Sequence, residues 1–184
     1  MDFSKIDYHQ VKANSTSCIS PSASIVGDVT IGAKVSIFAG ACIRGDDAAI
    51  TIEEGANIQE GALLHVDVNV PVTVHKNVTI GHGAIIHGCE IGENTIIGMG
   101  AIVMNNARIG KNSIVAAGAL VSEGKIFEDG SLIMGMPAKF ARALTDDEIK
   151  SKNTQSALDY IEMGQRMAEE GAMFHPTADT NMLP

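Results

Sequence analysis

Aliphatic residues recur at six-residue intervals along most of the chain, and this period constrains the fold more than any other feature. Neither an α-helix, with a period of 3.6, nor an alternating strand produces it, whereas a parallel β-helix does. Each six-residue unit then forms one flat side with its aliphatic residue pointing inward, and three sides close a triangular coil. The series consists of Ile19, Ile25, Ile31, Ile37, Ile43, Ile52, Ile58, Leu64, Val74, Ile80, Ile86, Ile91, Ile97, Val103, Ile109, Val115 and Val121.

The composition suits a narrow core of this kind. The chain has nineteen glycines against five phenylalanines, two tyrosines and no tryptophan. Glycine often follows the inward residue, as in Ile80-Gly81 and Ile91-Gly92, and we expect these glycines to fill tight corners through unusual backbone angles.

The repeat also sets the domain organisation. A β-helix leaves both end coils open, so each end needs a cap. We expect residues 1–17 to cap one end and residues 18–144 to form the β-helix. Thr145-Asp-Asp-Glu148 matches a capping box and predicts a helix over 145–171, followed by a disordered tail over 172–184.

Charge and cysteine content narrow the functional classes. A net charge of −9 argues against nucleic acid and against anionic membranes as partners. Three cysteines do not make a disulfide framework, and neither a signal peptide nor a membrane-spanning run is recognisable. These features predict a cytoplasmic protein.

Two histidines are predicted to lie side by side on the coil. If Ile52, Ile58 and Leu64 begin sides A, B and C, then Val74, Ile80 and Ile86 begin the same sides one coil later. His65 and His87 therefore each follow the inward residue of side C and point outward. Stacked coils are about 4.8 Å apart, so the two imidazoles can converge on one ion.

A third histidine indicates a trimer. His82 lies two positions into side B, too far round the coil to reach the same ion within one chain. In a threefold homotrimer, side B of one chain can face side C of the next and supply His82. Three imidazoles with one open position are typical of catalytic zinc, and iron(II) or cobalt are alternatives.

Further polar residues surround this position. Arg44 occupies the equivalent place on side C one coil before His65, and we expect an interface salt bridge to Asp46 of a neighbour. Gln59 points outward on side B and is expected to reach water near the metal, with Asn57 as a second candidate.

Arg44-Gly45-Asp46, Asn57-Ile58-Gln59, His65 and the run Ile80-Gly-His-Gly-Ala-Ile-Ile-His87-Gly-Cys resemble the gamma-class carbonic anhydrase-like family. The resemblance spans about residues 18–145. It implies a left-handed parallel β-helix, a homotrimer with metal between subunits, and His65, His82 and His87 as ligands. Arg44 and Asp46 match the family's interface pair, and Gln59 and Asn57 match its active-site polar residues.

The implied activity is reversible hydration of carbon dioxide by a metal-bound hydroxide, with Gln59 orienting the reactants. Rapid turnover requires a proton carrier. The loop His65-Val-Asp-Val-Asn-Val-Pro71 contains one acid, Asp67, and resembles the bacterial branch with a short loop. Glu60 and Asp47 are further candidate carriers.

Two other functions stay open. Gly130-Ser-Leu-Ile-Met-Gly-Met-Pro-Ala-Lys139 resembles the closing coil shared with hexapeptide-repeat acyltransferases, so an acyl-CoA-dependent acyltransferase or thioesterase is one alternative. A non-catalytic scaffold locked by metal is the other.

The remaining residues of chemical interest are assigned structural roles. Cys89 is interpreted as a core residue, and His9, His75 and His175 as solvated side chains. The methionines interpreted as core or packing residues are Met99, Met104, Met134 and Met136.

Overall fold

The computed structural model describes residues 10–177. They form a parallel β-helix of about seven turns, built from hexapeptide repeats and followed by one C-terminal helix. The fold class predicted from the period is therefore confirmed, and residues 1–9 lie outside the described part.

Strands of side B form a separate sheet of eight. Seven are parallel, and the eighth turns back antiparallel to close the last coil. In chain order they are β2 (Cys18–Ile19), β4 (Ser36–Ile37), β6 (Asn57–Ile58), β9 (Thr79–Ile80), β12 (Ile96–Ile97), β15 (Ile114–Val115), β18 (Ser131–Gly135) and β19 (Ala138–Ala143).

Sides A and C belong to one sheet of eleven strands, because two long strands run continuously around the corner between them. These are β3 (Ser24–Ile31) and β5 (Cys42–Ile52). Side C continues with β7 (Leu63–His65), β10 (Ile85–His87), β13 (Ile102–Val103) and β16 (Leu120–Val121), and side A with β1 (Lys12–Ala13), β8 (Val72–Val74), β11 (Glu90–Ile91), β14 (Arg108–Ile109) and β17 (Ile126–Phe127).

The inward residues form one continuous core. Every aliphatic residue of the six-residue series is at most 2% exposed. The inward residues of successive coils stack directly on one another, as on side C, where the stack is Ile43, Leu64, Ile86 and Val103. Because the buried residue recurs once per side, the register of each rung is fixed by its neighbours.

Glycine is required after the inward residues for a different reason from the one expected. Gly92 and Gly110 do not adopt positive φ. An added Cβ would instead lie 2.6 Å from the Lys111 nitrogen at Gly92 and 2.4 Å from the Asp129 nitrogen at Gly110. Close approach of the next coil, rather than backbone angle, therefore requires glycine at these positions.

The C-terminal helix runs back along side B. Its first turn is α1 (Asp146–Glu148), which carries the predicted Thr145–Glu148 capping box, and a π-helical segment (Ile149–Thr154) leads into α2 (Gln155–Glu169). Asn153 donates to the Asn94 and Ser113 carbonyls near its start, while α2 packs on β2, β4 and β6. The helix thus descends from later coils to earlier ones.

Gly164 does not interrupt α2, and the helix lies close against the sheet at this residue. A Cβ there would lie 2.1 Å from Ser36 Oγ. The same hydroxyl donates to the Tyr160 carbonyl at 3.2 Å, and the Tyr160 ring packs edge-on against Phe38.

Residues 172–177, expected to be part of a disordered tail, are instead held against the first coil. Phe174 and Ile19 exchange two backbone hydrogen bonds of 2.9 Å, Met173 is buried, and His175 Nδ1 contacts the Ser17 carbonyl at 2.8 Å. A free strand edge and an apolar floor at the first coil explain this ordering. Residues 178–184 lie outside the described part.

Several packing assignments change in the single chain. Met99, Met104, Met134 and Met136 are all exposed, between 40% and 70%, so they are not core residues. Cys89 is a core residue as expected, and burial raises the pKa of its thiol to about 12.

Among residues 10–177, no helix is sufficiently long and apolar to cross a bilayer.

Candidate metal centre

His65 and His87 lie in register on side C and face each other. Their Cα positions pair directly across β7 and β10. His65 Nδ1 is 2.9 Å from His87 Nε2, and the ring centroids are 4.9 Å apart. The stacking expected from the six-residue period is therefore present in the structure.

The other nitrogen of His65 is held by Asp46. His65 Nε2 lies 3.1 Å from Asp46 Oδ1, and an ionised carboxylate can only accept a hydrogen bond. His65 Nε2 must then carry a proton, and with only this nitrogen protonated the ring presents a lone pair at Nδ1.

The other nitrogen of His87 is held by Asn105. His87 Nδ1 contacts Asn105 Oδ1, and the Asn105 amide donates through Nδ2 to Asp67 Oδ2 at 3.2 Å. That second bond fixes which end of the amide is oxygen. His87 therefore carries its proton on Nδ1 and presents a lone pair at Nε2.

Two lone pairs then face each other across 2.9 Å, an arrangement that calls for a cation or an extra proton between them. Metal–imidazole bonds of 2.0–2.1 Å at a tetrahedral angle place two nitrogens about 3.3 Å apart. Moving the rings apart by about 0.4 Å would admit the ion, so this pair fits two of three zinc ligands.

His82 stands apart from this pair in the single chain. It lies at the corner after side B, with Nδ1 2.7 Å from Glu60 Oε2, and its side chain is 47% exposed. Across residues 10–177, three potential ligand atoms lie within 4.8 Å of one another only at Asp46, Asp47 and His65. His82 as third ligand, supplied by a neighbour, stays a prediction.

Arg44 and Asp46 meet within one chain, and the expected pair across an interface stays a prediction. The Arg44 guanidinium donates to Asp46 Oδ2. A Cβ on Gly45 would lie 2.7 Å from the Asp28 carbonyl oxygen, so the neighbouring coil approaches closely at Gly45. Residues 44 and 46 lie on either side of Gly45 on one face of β5 and meet there.

The surroundings of Asp46 favour its ionised form as a hydrogen-bond acceptor. Burial would raise its pKa, but the hydrogen bond from its own backbone amide, the Arg44 charge and the His65 contact outweigh burial and lower the pKa. The Asp46 side chain is 7% exposed, whereas that of Arg44 is 47% exposed.

Asn57 and Gln59 lie beneath the helix on side B, not beside His65 and His87 of the same chain. Gln59 Nε2 donates to Asn57 Oδ1 at 3.1 Å, and Asn57 Nδ2 donates to Thr79 Oγ1 at 2.9 Å. Thr79 in turn contacts Ser156 of α2. Both amides are nearly fully buried in the single chain, so their predicted catalytic role depends on the neighbouring subunit.

The candidate proton carriers are engaged in hydrogen bonds and close polar contacts. Glu60 contacts His82. Asp67 accepts from the Val68 amide through Oδ1 and from Asn105 through Oδ2. Asp47 joins Asp46 and His65 in the ligand cluster above.

An apolar recess of about 480 Å³ adjoins His87. Its floor is the ladder of outward residues on side C, Ile85, Ile102 and Leu120, which stack in register. Met104, Asn105 and Glu123 complete its lining.

Asn105 was not predicted from the sequence. It lies eighteen residues after His87, one residue past the position that stacks on His87 in the next coil. An amide at the corner one coil beyond a histidine is the signal that could have identified it.

Comparison with known proteins places these features in context. The profile of the family Bacterial transferase hexapeptide (six repeats) matches residues 71–103 and 88–123. The chain is 41% identical over 160 residues to gamma carbonic anhydrase 1, mitochondrial, of Arabidopsis thaliana, covering 84% of this chain and 58% of the plant protein. The chain thus spans somewhat over half the length of that relative.

Two bacterial proteins match over more of their length. Carnitine operon protein CaiE of Escherichia fergusonii is 42% identical over 148 residues, which cover 79% of this chain and 76% of the relative. The crystal structure of a hexapeptide transferase family protein from Anaplasma phagocytophilum is 41% identical, with a TM-score of 0.81 and coverage of 85% of this chain and 92% of that one.

Proposed function

The chain belongs to the gamma-class carbonic anhydrase-like family of hexapeptide-repeat proteins, and on that premise we propose that it is a homotrimeric metalloprotein that hydrates carbon dioxide reversibly. His65 and His87 of one subunit and His82 of the next hold the metal. The observation that carries this proposal is the 2.9 Å approach of His65 Nδ1 to His87 Nε2. Because Asp46 and Asn105 hold the other nitrogen of each ring, these two nitrogens are the ones left to bind a metal.

Each ligand has its non-ligating nitrogen held by an oxygen. Asp46 holds His65, Asn105 holds His87 and Glu60 holds His82. Such contacts to metal-binding histidines fix the tautomer and the ring orientation. His82 projects its free Nε2 from an exposed corner, which suits donation to another subunit.

Zinc in a three-histidine site lowers the pKa of water to about 7 and so supplies a nucleophile at neutral pH. Gln59 and Asn57 of the neighbouring subunit orient the reactants through their amides. The Ile85, Ile102 and Leu120 ladder keeps water from one flank of the site, which favours an apolar substrate such as carbon dioxide. Three free cysteines and the acidic charge favour the reduced cytoplasm as its location.

Metal content and hydration rate test the proposal together. Protein prepared without air should contain about one metal per chain and sediment as a trimer. Stopped-flow hydration of carbon dioxide, with zinc and with anaerobic iron(II), should exceed the buffer rate. His82→Ala should lose the metal while keeping the fold. Undiminished metal in that variant, or no rate with either metal, would contradict the proposal.

The recess beside His87 favours a second candidate. Its volume of about 480 Å³ exceeds what carbon dioxide needs, and a solved relative is described as a hexapeptide transferase family protein. An acyl-CoA-dependent acyltransferase or thioesterase would place an acyl chain there. Thiol release from a panel of acyl-CoA thioesters, measured with metal-loaded protein and with His87→Ala, separates this function from hydration. A metal-locked scaffold would be silent in both assays.

A further inference from the structure

The loop between β7 and β8 is tied to the coil above it through one amide. Asp67 closes a tight turn with Val70, with the Val70 amide donating to the Asp67 carbonyl at 2.9 Å. Both carboxylate oxygens of Asp67 are engaged: Oδ1 accepts from the Val68 amide and Oδ2 accepts from Asn105. The carboxylate is thus fixed at the base of a short loop.

Asn105 carries this constraint to His87. Its Nδ2 is committed to Asp67, so its Oδ1 is turned toward His87 Nδ1. A freely rotating amide could offer either a donor or an acceptor to the ring, and only the acceptor leaves Nε2 unprotonated. The Asp67 bond therefore selects the ring tautomer that faces His65.

Gly88 leaves the space through which Asn105 reaches the ring. A Cβ at Gly88 would lie 2.8 Å from Asn105 Oδ1 and 2.8 Å from Val70 Cγ1. Its φ of 53° is also one that other residues rarely adopt. The chain next to His87 is thus shaped around the Asn105 amide.

We propose that Asn105, locked by Asp67, is a positioning residue that sets the His87 tautomer and orientation for metal binding. This inference rests on the proposed metal site. Asp67 follows His65 closely along the chain and holds His87 through Asn105, so one short loop positions two ligands. Asp67 acts in this way as an anchor and not as a proton carrier.

Nitrogen-15 NMR of the histidine rings tests the tautomer in metal-free protein at a pH where the rings are neutral. In the wild-type protein His87 should carry its proton on Nδ1. Asn105→Ala should shift the His87 ring toward the Nε2–H tautomer while the His65 ring keeps its own proton on Nε2. An unchanged His87 tautomer would overturn the proposal, and this result does not depend on whether the protein hydrates carbon dioxide.

Metal affinity gives the second readout. Loss of a contact of this kind costs about 10–100-fold in affinity, so Asn105→Ala should weaken zinc binding by that factor, measured by competition with a chelator. Asp67→Ala should weaken it in the same direction, and Asp67→Asn, which keeps an acceptor oxygen, should recover most of it.

The double variant Asp67→Ala with Asn105→Ala should bind zinc no more weakly than Asn105→Ala alone, because Asp67 acts through Asn105. Fully additive losses would overturn that link. Gln155→Ala is the matched control, since Gln155 also donates its amide to a carboxylate, that of Asp159, on the exposed helix. If Asn105→Ala fails to fold by circular dichroism, Asn105→Ser, whose hydroxyl is too short to reach the ring, replaces it.

Discussion

His82 and Glu60 form a close polar contact at an exposed corner, with Nδ1 and Oε2 2.7 Å apart, while His65 and His87 lie on a different side of the coil. The three proposed ligands are therefore divided between two surfaces of one chain. A complete site then needs two chains, and this division can be tested by mixing variants.

Mixed trimers should regain metal that neither parent binds. A His82→Ala chain keeps His65 and His87, and a His87→Ala chain keeps His82. In a cyclic trimer each mixed assembly has one junction with the correct order, so equal mixing should restore roughly one quarter of the wild-type sites. Metal content after refolding the mixture measures this.

The control mixture combines His65→Ala with His87→Ala, two changes on the same side of the coil. No junction between those chains contains all three histidines, so the mixture should stay metal-free. Restoration there, or none in the first mixture, would show that the ligands are not divided as proposed.

Glu60 should act on the metal through His82. Glu60→Ala removes the acceptor that orients the His82 ring and should lower zinc affinity by about 10–100-fold. Glu60→Gln keeps an acceptor oxygen but cannot carry a proton, so its zinc affinity should remain close to wild type. If Glu60→Gln retains zinc but loses most hydration activity, Glu60 is a proton carrier, as its position after Gln59 first indicated.

His75 should make stability depend on pH near neutrality. The ring bridges Glu53 at 3.2 Å and Glu90 at 3.1 Å. Burial would lower its pKa, but the hydrogen bonds and charges of the two glutamates outweigh burial and raise it. Its stabilising effect is then fully present below the unfolded pKa of about 6.5 and is lost as the pH rises through the folded pKa.

Urea unfolding of the wild-type protein and His75→Gln, from about pH 5.5 to about 8.5, measures this effect. The difference in the free energy of unfolding should be largest at the acid end and shrink toward the alkaline end. Subtracting the variant removes contributions from the other histidines. A difference that grows with pH would contradict the assignment.

Gly164→Ala should destabilise the protein although alanine favours helices. The gain in helix propensity is about 1 kcal/mol. The added Cβ would lie 2.1 Å from Ser36 Oγ and 2.9 Å from Ser36 Cβ, and overpacking of this kind costs about 1–3 kcal/mol. Thermal unfolding should therefore show a lower midpoint.

Removing the Ser36 side chain provides the control for this clash. In a Ser36→Gly background, Gly164→Ala should be neutral or stabilising, because the obstructing atoms are gone. An equal loss in both backgrounds would mean that Gly164 serves another purpose.

The features best predicted from the sequence are those that follow from the six-residue period. The six-residue spacing predicted the three sides, the inward residues and the stacking of His65 on His87, because each rung repeats the packing of the one below. Thr145 and Glu148 were likewise recognisable, since a capping box depends on local spacing alone.

The contacts that the sequence did not predict are those of corner residues with other coils. The role of Asn105 depends on the loop at Asp67, thirty-eight residues earlier, and His75 meets carboxylates from the coils on either side. The residues that make these contacts do not recur with the six-residue period. The pairing of Phe174 with Ile19 was not predicted for the same reason, because no local pattern links the residues after the helix to β2.

That last pairing changes how the molecule can come apart. A repeat protein whose units contact only their neighbours can fray from either end independently. Here the C-terminal helix runs back along the solenoid and residues 173–175 bind to the first coil, so the two ends of the solenoid are linked. Loosening the first rung must also release the segment that follows the helix, and the two ends of the solenoid should open together in hydrogen exchange.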